Sequence, residues 1–322
     1  MYQNVKLEKG MYHLTGKSFL QVLEELDPAA QYADTPLAGL DAYERQLKRF
    51  DIHVCGPQCD RVEKFFTTTE SAVLFPEFVR RAVRQGIESS VLSSITAVET
   101  KSESSQYLGC VLTDTASYST AIAQQSALTG SSILESDTAL TLSKYGRAVK
   151  ASYEAIRRQR LDVFAVMLRA IGVKLAGAIL KQAVSVLTSG AGSTTAKAGS
   201  ALAYSDLAAL CGKFSNFNMN ALIASPSVMA SIVAMEQMME TASEQPGQIR
   251  LPFGAMLYKA AQLDDQTIIG LDRDFALEMI TATDLILETD KLIESQMDLI
   301  AVSIQVGFCL LYTSPSPRDT ER

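Results

Sequence analysis

Histidine is nearly absent: the 322-residue chain has two, His13 and His53, both near the N-terminus. A histidine-based acid–base or metal site is therefore not expected. The sequence also lacks G-x-G-x-x-G after a strand, G-x-x-x-x-G-K-[ST], H-E-x-x-H and a G-x-S-x-G elbow. Its Gly-rich run, GAGSTTAKAGSA, reaches Ala196-Lys197 without phosphate-loop spacing. The carboxylate pairs Asp264-Asp265 and Asp272 with Asp274 fall in apparent turns, where acids serve backbone conformation. No catalytic, cofactor-binding or metal residue is assigned, no cofactor is expected, and the chain is not expected to be an enzyme. Tryptophan is missing too, and excludes nothing.

Five cysteines, an odd number in a chain this long, do not make a disulfide framework and suit a reducing compartment. His53, Cys55 and Cys59 in HVCGPQC lack the second ligand pair of a zinc site, so a Gly56-Pro57 turn is the better reading. Net positive charge is lacking as well. At −7 the chain has no overall pull towards nucleic acid or an anionic membrane. MYQNVKLEKGMYHL carries no apolar core of a signal peptide, so secretion by that route is not expected.

What is present centres on LDVFAVMLRAIGVKLAGAILKQAVSVLTS, Leu161 to Ser189. Apolar residues at Val163, Val166, Met167, Ala170, Ile171, Val173, Leu175, Ala178, Ile179 and Leu180 repeat at helical spacing. They predict one long helix with a wide buried face. Arg169, Lys174 and Lys181 interrupt each apolar window, which argues against a membrane span. Gly172 and Gly177 each cost about 1 kcal/mol relative to Ala inside a helix. Close approach of another segment at both is the expected reason.

Residues 1–69 read as a loosely organised arm with amphipathic helices at Lys17–Leu26 and Leu40–Phe50, too poor in apolar surface for an independent core. The expected support is something else, another subunit included. A helix starts at Pro76, buries Phe78, Val79, Ala82 and Val83, and ends at Gly86. Arg80, Arg81 and Arg84 form its polar side, expected to be solvated or to pair across subunits. Between Val91 and Tyr145, β-prone runs (Ser94–Val98, Leu108–Leu112, Ala139–Leu142, then Arg147–Ala151) flank a polar stretch of small residues. A two-stranded excursion lying on a neighbour accounts for it.

Beyond the Gly/Ser/Ala linker, a helix from Tyr204 with Ser205 as N-cap, a strand at Asn220–Ser225 and a Ser225-Pro226-capped helix through Val228–Thr241 are predicted. Met229, Met235, Met238 and Met239 are read as core filler rather than a ligand groove. Strands follow at Ala255–Ala260, Thr267–Leu271, Ala276–Thr281, Leu285–Glu288 and Ala301–Phe308, with amphipathic KLIESQMD between the last two. Helices and strands are segregated, which makes the fold class α+β.

The order of these parts resembles the tailed-bacteriophage major capsid proteins. VEKFFTTTESAVLFPEFVRRAVRQGIE (Val62–Glu88) is similar to that family's passage from arm to peripheral domain, and LSKYGRAVKASYEAIRRQRLDVFAVMLRAIG (Leu142–Gly172) to its loop return and spine helix. LPFGAMLYKA (Leu251–Ala260), IIGLDRDFALEMI (Ile268–Ile280) and LETDKLIESQMDLIAVSIQVGF (Leu287–Phe308) resemble its axial-domain exit and final strands. The resemblance implies an N-terminal arm (1–69), peripheral domain (70–90), extended loop (91–150), spine helix and linker (151–199), axial domain (200–283) and final peripheral strands (284–308). It implies a structural protein that self-assembles through hexamers and pentamers into an icosahedral shell around double-stranded DNA, formed in the bacterial host cytoplasm. Further implied partners are a portal, a scaffold or a maturation protease, with weak non-specific contact to DNA and no membrane. Some relatives cross-link a loop lysine; Lys101 and Lys144 flank this loop, and neither is assigned that role. An encapsulin shell, with the same fold around cargo enzymes, is the nearest alternative; a two-domain soluble binding protein or enzyme is a more distant one.

From Cys309 onward CLLYTSPSPRDTER turns abruptly to Ser-Pro repeats and charge. It reads as a translated sequencing adapter, so 309–322 are expected to be a non-native tail unable to extend a central strand.

Overall fold

The computed structural model describes residues 2–12, 14, 16–114, 121–126, 131–136, 138–190, 194, 196–214, 217–239, 249–282, 285–292 and 297–311. In chain order the helices are α1 (Phe19–Leu26), α2 (Ala42–Arg49), α3 (Thr69–Ala72), α4 (Phe75–Glu88), α5 (Leu92–Ile95), α6 (Tyr153–Arg157), α7 (Leu161–Ser189), α8 (Tyr204–Cys211), α9 (Pro226–Val233) and α10 (Glu236–Met239). The strands are β1 (Val98–Lys101), β2 (Gln106–Tyr107), β3 (Cys110–Asp114), β4 (Ser131–Glu135), β5 (Leu140–Thr141), β6 (Ser143–Ser152), β7 (Ala221–Ala224), β8 (Ile249–Arg250), β9 (Met256–Lys259), β10 (Ile268–Leu271), β11 (Leu277–Thr281), β12 (Ile286–Leu292) and β13 (Met297–Leu310). Two compact units share them: Met1–Ser89 with Gly146–Leu175 and Leu285–Ser303, and Ser90–Tyr145 with Ala176–Asp284 and Ile304–Arg322. Helix α7 and strand β13 each run from one unit into the other.

In the first unit the N-terminal segment is packed rather than loose. Ser18 and Asp41 cap α1 and α2 with reciprocal capping boxes. Phe19, Leu23, Tyr43 and Phe65 are buried, Tyr12 stacks on Phe19 at 4.2 Å, and the Tyr12 and Tyr43 hydroxyls donate to the carbonyls of Val73 and Leu74. An ion pair lies at the centre of this packing: Arg45 Nε donates to Asp27 Oδ2 at 2.6 Å, with both side chains almost fully buried. Arg45 also donates to the Leu40 and Asp27 carbonyls, and Tyr32 OH donates to Asp27 Oδ1 at 2.5 Å. The segment therefore rests on α4 of its own chain, because two buried charges satisfy one another where apolar area is short.

Helix α4 buries Phe75, Phe78, Val79, Ala82 and Val83, and Phe78 lies 5.6 Å from the Phe65 ring and 6.5 Å from that of Phe164 on α7. Gly86 does not end it; the helix continues to Glu88. A Cβ at Gly86 would collide with the Arg169 carbonyl oxygen, and one at Gly172 with that of Val83. The two glycines thus let the backbones of α4 and α7 touch. The arginines of α4 pair within the chain: Arg81 holds Asp41 at 2.7 Å and lies over the Tyr43 ring, while Arg80 reaches Glu77 at 3.5 Å.

The start of α7 is tied down by HVCGPQC. Gly56 takes a left-handed φ of 87°, and the Cys59 amide closes a turn onto its carbonyl at 3.1 Å, with Pro57 following the glycine. The first α7 amides then donate to Asp60 O, Cys59 Sγ and Asp162 Oδ1. Cys59 is a helix-capping acceptor, not an incidental turn residue. The buried face of α7 in this unit is Leu161, Phe164, Leu168 and Leu175. Val163, Val166, Met167 and Val173, expected on it, are exposed instead. Their side chains belong to the same apolar periodicity, but nothing among the described residues covers that side.

In the second unit, the fully buried run of β7 is the centre of a four-stranded sheet in the order β10-β7-β9-β8. Helices α8 and α9 complete its core of Leu207, Leu222, Ile232, Leu251 and Leu257. Ser225 caps α9 as expected, but the helix stops at Val233 and α10 follows; Met238 is buried, and Met229 and Met235 pack on the same core. Ala203, not Ser205, is the N-cap of α8, its amide donating to Asp206. Of the expected strand Ser94–Val98, Ser94 and Ile95 end the short helix α5, and β1 starts only at Val98, pairing in parallel with β11. Strand β11 pairs with β13 from Leu277↔Leu310 to Thr281↔Val306. The strand therefore continues through Cys309 and Leu310, past the expected break; residues 312–322 of the tail lie outside the described residues. In the first unit β12 and β13 pair from Ile286↔Ser303 to Leu292↔Met297. KLIESQMD thus contributes to both strands at its ends, and its centre lies outside the described residues.

Candidate assembly surface

The excursion between β1 and β6 is a two-stranded ribbon, as the alternation of short β-prone runs predicts. Its base is β2 against β5, and further out β3 pairs with β4 from Cys110↔Glu135 to Asp114↔Ser131. Successive residues of a strand point to opposite faces. Ile133 and Leu134 are nonetheless 72% and 56% exposed, so among the described residues β4 is bare on both faces of the ribbon. Leu108 and Ile122 are exposed as well. A ribbon of this kind has no core and gains its stability from whatever covers it. Within the polar stretch Ser117–Ser132, residues 117–120 and 127–130 lie outside the described residues.

The base of the ribbon is held firmly within the second unit. Leu142 is buried over Gly307 of β13, where a Cβ would come within 2.5 Å of Leu142 Cδ2 and 3.0 Å of Leu140 Cδ2. Glu278, on β11 and 5% exposed, accepts from the Thr100 hydroxyl and, at 3.0 Å, from Tyr107 OH. Burial and that hydrogen bond push the Tyr107 phenol up to about 12. Burial likewise raises the Cys309 thiol, with Glu278 beside it. An open depression of about 430 Å³ beside the ribbon base is lined by Leu140, Val186, Phe308 and Leu310 among others. Among the described residues, no carboxylate, histidine or basic side chain lines it.

The residues flagged by the sequence as chemical candidates have conformational roles. Asp272 accepts from the Asn218 amide and from Asn220 Nδ2 at 2.8 Å, and Asp274 shares that amide group at 3.0 Å. Asp265 accepts from Ser227 Oγ, and Asp264 from the Gln266 amide. Cys55 and Cys59 are free thiols, and His53 faces Asp60. Lys101 ends β1 and Lys144 lies in β6, at the two roots of the ribbon.

Residues 135–289 match the family model described as phage capsid protein. Among solved structures, the capsid of an empty GTA particle is 16% identical at a TM-score of 0.51, covering 69% of this chain and 86% of that one. A virus-like particle from Pyrococcus furiosus is 14% identical at a TM-score of 0.49, over 73% and 94% of the two chains. The structure titled Microbacterium phage Oxtober96 is 13% identical at 0.48, over 70% and 87%. No curated protein matches the sequence. Residues 135–289, just under half of the chain, are thus similar to the phage capsid protein family model, and the chain carries the α+β fold of the capsid of the empty GTA particle.

Proposed function

We propose that this chain is a major capsid protein that self-assembles, through hexamers and pentamers, into the icosahedral head shell of a tailed phage or prophage. The observation that carries the reading is the ribbon with both faces uncovered, which a neighbouring copy would bury. Its role is structural rather than enzymatic. The ribbon corresponds to the extended loop, residues 200–283 to the axial domain, and α4, α7 and the paired β12 and β13 to the peripheral domain. Assembly in the host cytoplasm suits five free thiols. The net charge of −7 suits a shell that encloses double-stranded DNA without gripping it.

Size exclusion and negative-stain microscopy of the purified chain test this, with capsomers or closed shells expected at micromolar concentration. A folded monomer under all salt and pH conditions would overturn it. The contents of shells recovered from the native host separate a phage head, holding DNA, from an encapsulin, holding a protein cargo.

A further inference from the structure

The uncovered face of α7 in the first unit has a partner chemistry of its own. Val163, Val166, Met167 and Val173 are 48%, 56%, 44% and 50% exposed, and Ala170 and Lys174 are exposed between and beside them. At 100° per residue these six positions fall on one side of the helix, a stripe about three turns long. Single exposed apolar residues are ordinary; four large ones aligned on one helix face are not. The stripe is also basic in a chain of net charge −7: Arg157, Arg158 and Arg160 precede it and Lys174 lies on it. Two acids lie among these cations: Arg160 holds Asp162 at 2.7 Å, and Glu154 lies 3.9 Å from Arg158 in an exposed pair.

Apolar contact with a basic surround selects among occupants. A second copy of the same stripe would bring its lysine and arginines against their own kind. Nucleic acid would leave the apolar residues facing water. A bilayer would have to accept the whole unit, because the opposite face of α7 is its core. We infer that the strip from Val163 to Lys174 docks an acidic amphipathic helix of another polypeptide. Such a helix places apolar residues at i, i+3, i+4 and i+7 over the valines and methionine, with carboxylates towards Arg158 and Lys174. This does not depend on the shell reading, because shell formation is read separately by microscopy.

The probe is a fluorescent synthetic peptide of about 18 residues, long enough to be helical, with Leu at those spacings and Glu and Ala elsewhere. Added to dissociated full-length subunits, it should raise fluorescence anisotropy in a saturable way. A scrambled peptide of equal composition should bind at least about tenfold more weakly, and so should the Val166→Glu/Met167→Glu double variant. Lys174→Glu with Arg158→Glu should weaken the acidic peptide and favour one carrying Lys in place of Glu. If the double variant does not fold, this charge-reversal pair, at two exposed positions, carries the test. Equal binding of the scrambled peptide, or affinity unchanged in the charge-reversed variant, overturns the inference. So does a change in oligomeric state from Val166→Glu/Met167→Glu without peptide, which would make the stripe a seam between copies. Tighter, variant-sensitive binding to duplex DNA or phosphatidylglycerol vesicles would overturn it as well.

Discussion

Asp27 and Arg45 are the residues on which the N-terminal segment depends most directly. Each is at most 1% exposed, and their remaining hydrogen-bonding groups are taken up by Tyr32 and by the Leu40 and Asp27 carbonyls. Removing one partner leaves the other charged, buried and unpaired, which costs about 3–5 kcal/mol. Arg45→Ala or Asp27→Ala should lower the urea midpoint of dissociated subunits accordingly, whereas exposed Lys17→Ala should be nearly silent. Glu77 makes a second, pH-dependent prediction. Burial raises its carboxyl above the ordinary 4.5, against the pull of Arg80, Arg81 and Arg84. The folded state then binds more protons than the unfolded chain above the ordinary value, so stability contributed at this site falls as pH rises from about 4.5 through the raised value. Urea midpoints measured from pH 4 to 8 should drop less steeply for Glu77→Gln than for the wild type; a steeper drop would contradict this assignment (pH range about that of ordinary and raised carboxyls).

At the scale of elements, the crossing of α4 over α7 is set by two glycines. Helix propensity alone would make Gly→Ala favourable by about 1 kcal/mol. At Gly172 and Gly86 the added Cβ meets backbone carbonyl oxygens that cannot swing away. Gly172→Ala and Gly86→Ala should therefore lower the thermal midpoint, by more than the propensity gain. Gly177 is different: its Cβ would meet only the end of the Gln262 side chain, at 2.9 Å. Gly177→Ala should be neutral or stabilising, so close approach explains one of the two spine glycines flagged by the sequence and not the other. Differential scanning calorimetry on the three variants would separate them.

For the whole molecule the decisive surface is the ribbon. Ile133 and Leu134 are exposed on opposite faces, so replacing them should spare the subunit fold. Ile133→Asp with Leu134→Asp should leave circular dichroism and urea midpoint unchanged while preventing shells from forming. Shells of normal yield from this variant would mean that the ribbon is not covered in the assembly. Proteases should also cut the ribbon faster in free subunits than in shells, at sites read by mass spectrometry.

Much of this was legible in the sequence because local chemistry decided it. The full extent of α7, the presence of α1 and α2, the capped start of α9, the Gly56-Pro57 turn and the two-stranded excursion all follow from periodicity, capping residues and turn residues acting over a few positions. The bare ribbon was legible for the same reason, since its composition offers no core. Tertiary structure alone decided the rest. Apolar periodicity locates a face but not its neighbour, so Val163, Val166 and Met167 read as buried when it is Leu161, Phe164, Leu168 and Leu175 that are. Gly86 read as a helix stop because its role depends on a carbonyl 83 residues away, that of Arg169. The N-terminal segment read as loosely organised because charges are costly to bury alone, and only the folded segment brings Asp27 and Arg45 to 2.6 Å.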